Sequence, residues 1–80
     1  MNKTYQPVSC ALHSEYELAI IKKNYLELVY LDNKQNQHTI RVLPVDIETS
    51  QGAEFLITRS DAGKILRIRL DHILNMHNVN

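Results

Sequence analysis

Carboxylates are concentrated in two short parts of the sequence, and their chemistry suits contact with a positively charged partner. Asp46, Glu48 and Glu54 lie between residues 44 and 56, a stretch that contains no basic residue. Such a local excess of acid can dock onto a basic surface of another molecule, or it can be a solvated connection between strands. The sequence alone leaves both interpretations open.

The second acidic group accompanies a signal for the start of a helix. The order Ser14-Glu15-Tyr16-Glu17 fits a capping box. In that motif the Ser14 hydroxyl accepts a hydrogen bond from the N–H of Glu17, and the Glu17 side chain reaches back to the N–H of Ser14. Glu17 then has a structural role. Glu15 has no such role, so it is the better candidate for contact with a partner.

Three arginines could instead hold nucleic acid. Arg67 and Arg69 alternate with apolar residues and should share the outer face of a strand, with Arg59 on the strand beside it. They could bind phosphates, or they could be solvated charges that protect an exposed strand from aggregation. The chain has 9 Lys+Arg and 9 Asp+Glu, and this zero net charge disfavours direct RNA binding.

No pattern of residues indicates catalysis or a bound metal. His72 and His77 are not accompanied by a cluster of Cys or carboxylates at ligand spacing. The sequence has no Gly-rich phosphate loop, and no Ser or Cys is marked by an activating base. We therefore expect a protein that is not an enzyme and that uses neither a cofactor nor a metal.

The length of 80 residues is enough for a single domain. The one cysteine, Cys10, cannot form an internal disulfide. The first residues contain no apolar segment of the roughly 7–15 residues that a secretory signal needs. No segment is long and apolar enough to span a bilayer. Together these features predict a cytoplasmic protein without a membrane segment.

The elements that must position the charged residues follow from hydrophobic periodicity. We expect an extended lead-in over residues 1–13 and a helix over residues 14–24, after which the period changes to two. Pro44 indicates a bend or an edge. Strands are predicted at residues 25–31, 37–45, 53–59, 64–70 and 72–77, with connections at residues 32–36, 48–52 and 60–63.

The fourth predicted strand gives the clearest alternation. Leu66, Ile68 and Leu70 should face the core, and the arginines between them should face outward. One helix followed by five antiparallel strands predicts a mainly β domain. Its expected architecture is a small Sm-like or SH3-like antiparallel β-barrel over residues 25–77, with the OB barrel as a near neighbour.

Several strings of the sequence, taken in order, resemble the Rof family of Rho-binding antiterminators, which modulate Rho-dependent transcription termination. The resemblance extends over nearly the whole chain, and its opening and closing strings together are its most specific part. The strings are Thr4-Tyr5-Gln6-Pro7-Val8 with Cys10 close behind, Glu17-Leu18-Ala19, Leu26-Glu27-Leu28 and Leu66-Arg67-Ile68-Arg69-Leu70-Asp71-His72-Ile73.

The resemblance implies an Sm-like barrel preceded by a helix, and binding to Rho, the hexameric RNA helicase that terminates bacterial transcription. It further implies that the protein obstructs the primary RNA-binding site on the N-terminal domain of Rho. That site is basic because it holds RNA, so acidic groups complement it. The implied contact surface is the helix region and neighbouring loops, which here contain His13, Ser14, Glu15, Glu17, Asp46, Glu48 and Glu54.

This chain departs from the family pattern just before the predicted helix. The family carries several Asp residues there, whereas this stretch is Ala11-Leu12-His13-Ser14-Glu15. The difference predicts weaker binding to Rho or a shifted set of contacts. The alternative function is a stand-alone Sm-like RNA-binding protein that uses Arg59, Arg67 and Arg69. A small hydrolase would need a pocket and a catalytic triad that the sequence does not show.

Overall fold

One helix and five strands form the chain in the computed structural model, which describes residues 6–79. The predicted fold class, mainly β with one N-terminal helix, is confirmed. Residues 1–5 of the predicted lead-in lie outside the described residues. The elements are α1 (Cys10–Lys22), β1 (Leu26–Leu31), β2 (Gln37–Ser50), β3 (Ala53–Arg59), β4 (Ile65–Arg69) and β5 (Ile73–Asn78), with a 3-10 turn, Leu70–His72, between β4 and β5.

The strands form one antiparallel sheet in the order β4-β3-β2-β1-β5. Over residues 6–79, β4 and β5 are the two edges of this sheet and do not pair with each other. The sheet is therefore open, and the structure does not show the closed barrel that the sequence predicted. The 3-10 turn Leu70–His72 joins the two edge strands directly.

The long strand β2 bends and serves both halves of the sheet. Its first part, from Gln37 to Val42, pairs with β1, and its second part, from Leu43 to Ser50, pairs with β3. The register shifts between Pro44 and Asp46, which is where a residue without an N–H donor interrupts a ladder most easily. The bend predicted at Pro44 is confirmed.

The predicted end of β2 at residue 45 is wrong. The strand resumes after the bend and continues to Ser50, so Asp46 and Glu48 lie in a strand and not in a connection. The chain then reverses at Gln51 and Gly52, whose φ angles are 52° and 79°. Positive φ costs Gly little, which explains why the turn lies here.

Helix α1 begins four residues before the predicted start. Ser9 is the N-cap, and its hydroxyl oxygen accepts a hydrogen bond of 3.1 Å from the N–H of Leu12. The capping box at Ser14 is therefore wrong, because Ser14 lies inside the helix. The helix ends at Lys22, since Lys23 adopts a left-handed conformation with φ 56° and donates its N–H to the carbonyl of Ile20.

The buried residues form one core between α1 and the concave side of the sheet. Tyr16 and Ala19 are buried from the helix, one turn apart, and Leu12 and Ile20 pack partly against the same cluster. The predicted inward face of β4 is confirmed: Ile68 and Leu70 are buried, and Leu66 packs against the core. The strands supply most of the remaining core: Leu26, Leu28, Val42, Leu56, Ile68 and Leu70.

Candidate functional site

A histidine on α1 lies between two of the predicted contact carboxylates. The Nε2 atom of His13 is 3.1 Å from Oε2 of Glu54 on β3, and its Nδ1 atom is 3.6 Å from Oε2 of Glu17. His13 and Glu17 face each other because residues four apart in a helix lie on one side of it. An imidazole can donate to both carboxylates only when it is protonated.

A hollow of about 420 Å³ lies between α1 and β2, next to this histidine. Glu17 and Asp46 contribute carboxylates to its lining, and Ile20, Ile21 and Ile47 contribute apolar surface. Ile21 is 73% exposed, so most of its side chain is accessible to a partner. We call this hollow, together with His13 and Glu54 beside it, the acidic groove.

The acids of β2 and β3 belong to the groove through different contacts. Asp46 follows the register shift, and its Oδ1 accepts a 2.8 Å hydrogen bond from the N–H of Ile47. Glu54 pairs with Thr49 across the β2–β3 ladder, so it shares a face with Ile47. Glu17 is therefore common to both parts of the groove: it lines the hollow with Asp46, and it contacts His13, which also contacts Glu54.

Three predicted contact residues are not part of the groove. Glu48 lies on the opposite face of β2 from Ile47, where its Oε1 accepts a 2.6 Å hydrogen bond from Nε of Arg67. Ser14 and Glu15 are exposed on α1 and do not line the hollow. The sequence grouped these residues by the helix region and the acidic stretch of residues 44–56. Asp46 and Glu48 are two residues apart in β2 and share a strand face, but only Asp46 lines the hollow, whereas Glu48 pairs with Arg67.

Two of the three arginines of the alternative function, Arg67 and Arg69, are paired with carboxylates. The guanidinium of Arg67 stacks on Phe55, 3.8 Å from the ring centroid, and pairs with Glu48. Arg69 is on the outer strand face with Arg67, as predicted, but its side chain is only 20% exposed and donates two hydrogen bonds to Asp71, of 3.0 Å and 2.8 Å.

Asp71 is the acid that this arrangement stabilises most directly. Burial opposes its ionisation, but the hydrogen bonds from Arg69 and from the N–H of Gln6 outweigh burial and lower the pKa of Asp71. Asp71 therefore remains a carboxylate, and the charge of Arg69 is balanced within the chain. Sequence reasoning missed this role of Asp71, although the two-residue spacing from Arg69 was available as a signal.

The described residues contain neither a metal-binding cluster nor a helix that could span a membrane. Within residues 6–79, no group of three or more His, Cys, Asp and Glu side chains is arranged to hold a metal ion. Neither helical segment in this range has the length and apolar character required to cross a bilayer.

Comparison with known proteins supports the fold and goes no further. No protein-family model matches the chain, and no curated protein matches its sequence. A solved structure of proteasome accessory factor B/C (PafBC) of Arthrobacter aurescens is similar, with a TM-score of 0.76 and 15% sequence identity. The match covers 91% of this chain and 12% of the PafBC chain. At this identity the likeness concerns the fold alone: a small, mainly β unit with one helix and an open antiparallel sheet.

Proposed function

We propose that this chain is a non-enzymatic cytoplasmic binding protein that places its acidic groove on a basic surface of a protein partner. Following the resemblance to the Rof family, we propose that the partner is Rho and that the bound surface is its primary RNA-binding site. The observation that carries the proposal is that Glu17 and Asp46 line a hollow that contains the exposed side chain of Ile21, next to the contact of His13 with Glu54.

The groove combines two kinds of interaction that a protein interface uses. Its carboxylates would attract a basic surface and align it during the encounter. The side chains of Ile20, Ile21 and Ile47 would then be removed from water, which supplies affinity that charge alone does not. A site that holds RNA presents cationic groups, so the same acidic groove that attracts Rho repels RNA phosphates.

The alternative, direct RNA binding, has less support. Arg67 and Arg69 would have to release Glu48 and Asp71 before they could neutralise phosphates. Arg59 is exposed at the end of β3, but a single cation does not form a phosphate-binding track. The zero net charge of the chain provides no general attraction for nucleic acid.

We also propose that the open sheet is a variant of the Sm-like barrel. The bend of β2 at Pro44 turns the β2–β3–β4 half of the sheet relative to the β1–β5 half. The 3-10 turn Leu70–His72 connects the two edge strands at one end of the opening. In this proposal the barrel surface supports the groove, and binding blocks RNA by occupying its site, with no chemical step.

The test is the affinity for purified Rho of a variant that neutralises the groove. Glu17→Gln combined with Asp46→Asn preserves side-chain size and removes two charges. Exposed ion pairs contribute about 0.2–1 kcal/mol each, so the loss of two should weaken binding by roughly twofold to thirtyfold, and the salt dependence of affinity should decrease. Asp61→Asn is the matched control, because Asp61 lies in the β3–β4 turn and does not line the groove.

Two outcomes would contradict the proposal. If the double variant and Asp61→Asn bind Rho equally well at low salt, the acidic groove is not the contact surface. If the isolated wild-type chain binds labelled single-stranded RNA with micromolar or tighter affinity and strong salt dependence, the groove proposal is contradicted and the chain is an RNA-binding protein.

A further inference from the structure

The outer edge of β4 has backbone groups that point away from the sheet. The N–H of Ser60 donates to the carbonyl of Lys64, which makes these two residues a hydrogen-bonded pair at the β3–β4 turn. Hydrogen-bonded and non-hydrogen-bonded pairs alternate along an antiparallel ladder. In the observed register, Ile65 and Arg67 are therefore in non-hydrogen-bonded pairs, and their N–H and C=O groups face outward.

The other edge, β5, is protected in a way that β4 is not. Its register shifts opposite Val29 and Tyr30, which leaves Leu74 as a bulge. The outward N–H of Met76 donates to the side-chain carbonyl of Asn75 at 2.9 Å. Both devices hinder the addition of another strand. β4 has a regular register from Ile65 to Arg69 and no proline.

A hollow of about 240 Å³ lies along β4, and we call it the seam hollow. Residues from both faces of β4 line it, Leu66 and Ile68 from the inner face and Arg67 from the outer face, so the hollow is at the strand edge itself. The aromatic residues Tyr30 and Phe55 also line it, and the Arg67 guanidinium lies over the ring of Phe55. Asp32 and Asn33 of the β1–β2 turn and His72 of the 3-10 turn add polar groups to the lining.

We propose that the β4 edge binds an extended peptide segment of a partner protein as an additional antiparallel strand, with one aromatic side chain of that segment in the seam hollow. Backbone pairing needs a peptide, and a lining that mixes aromatic and polar groups suits a ring that carries a hydroxyl, as in tyrosine. Arg67 is balanced by Glu48, which favours an uncharged peptide over a phosphate-bearing strand. This site is separate from the acidic groove and does not depend on Rho binding.

The probe is a short uncharged peptide of alternating threonine and valine with one central tyrosine. Its control is the same peptide N-methylated at alternate backbone nitrogens, which cannot complete a ladder. Binding would be followed by the amide shifts of the labelled full chain. We expect shifts at Ile65, Arg67 and Ile68, and binding of the N-methylated peptide that is weaker by about tenfold or more, because two or more hydrogen bonds are lost.

Two variants at one position separate the backbone from the side chain. Arg67→Pro removes the outward N–H, whereas Arg67→Ala retains it, and both remove the contacts with Phe55 and Glu48. Proline is tolerated at an edge position whose N–H is not in the ladder, so both variants should fold. Arg67→Pro should bind the peptide about tenfold more weakly than Arg67→Ala. Should Arg67→Pro fail to fold, Ile65→Pro and Ile65→Ala give the same comparison.

Several results would overturn this proposal. Equal binding of the peptide and its N-methylated control would exclude strand addition. Equal affinity of the two Arg67 variants, or shifts at Met76 and Asn78 in place of β4, would exclude this edge. Concentration-dependent dimerisation that Arg67→Pro abolishes, without binding of the peptide, would show that the edge binds a second copy of the chain.

Discussion

At the scale of single residues, neighbouring groups decide whether a carboxylate stabilises the fold or remains exposed for a partner. Asp71 and Glu48 are joined to arginines of β4, and Asp32 is bonded within its own turn. Glu17 and Asp46 line a hollow beside exposed apolar surface. The same residue type therefore has two roles, and only the three-dimensional neighbours distinguish them.

Asp32 gives a prediction for the dependence of stability on pH. Its hydrogen bond with His38, 2.8 Å long, together with that from the N–H of Asn36, lowers the pKa of Asp32 to about 2. A carboxyl with a lowered pKa in the folded state stabilises the fold above its unfolded pKa of about 3.9, and this contribution is lost as the pH falls toward about 2.

The measurement is the melting temperature of the wild type and of Asp32→Asn from about pH 5 to about pH 2. We expect the wild type to melt higher at the upper end, and the difference to disappear as the pH decreases below about 4. Asp61→Asn is the control, since Asp61 is exposed in the β3–β4 turn. If the difference in melting temperature between the wild type and Asp32→Asn grows as the pH falls, the lowered pKa of Asp32 is contradicted.

At the scale of elements, the start of α1 shows what sequence patterns can and cannot specify. Both Ser9 and Ser14 are followed by helix-forming residues, and Ser14 has the better capping-box spacing. The earlier start is selected by tertiary packing, because it places Leu12 in line with Tyr16 on the buried face. The packing of Leu12 depends on the sheet, so the sequence around Ser9 could not reveal it.

Substitution of the two serines should separate these interpretations. Ser9→Ala should lower the free energy of unfolding by about 0.5–2 kcal/mol, because the N–H of Leu12 loses its acceptor. Ser14→Ala should be neutral or slightly stabilising, because Ala is favoured inside a helix. Urea unfolding measures both. A larger loss for Ser14→Ala would restore the capping box at Ser14.

The strands were easier to predict than their arrangement. The alternation of apolar and polar residues predicted β3 with its observed bounds and the inward face of β4. This was possible because a two-residue period can be read from a short stretch of sequence. Pro44 correctly indicated a bend, but the continuation of β2 to Ser50 was missed because acidic residues are typical of connections. The contact of His13 with Glu54 joins residues 41 apart, and no spacing rule could have predicted it.

At the scale of the whole molecule, one small core supports two different surfaces. The acidic groove lies where α1 crosses β2, and the seam hollow lies at the unpaired edge of β4. Ile68 belongs both to the lining of the seam hollow and to the buried cluster that contains Tyr16 and Leu56, and it is 4% exposed. Because the chain has a single core, loss of packing at one position should destabilise both surfaces together.

Truncation of β4 side chains tests this organisation. Ile68→Ala should cost about 2–5 kcal/mol, which is a large share of the stability of a small domain. Ile65→Ala is the matched control on the same strand, because Ile65 is 57% exposed and should cost well under about 1 kcal/mol. Similar melting curves for the two variants would mean that the inward face of β4 is wrongly assigned.

The central claim, that the acidic groove binds Rho and excludes RNA from its primary site, is tested most directly by displacement. A labelled pyrimidine-rich RNA is bound to purified Rho, and the unlabelled chain is titrated into the complex. We predict that the chain releases the RNA, that added competing RNA reverses the release, and that Glu17→Gln with Asp46→Asn requires a higher concentration than Asp61→Asn. Binding of the chain to Rho while the RNA remains fully bound would contradict the claim.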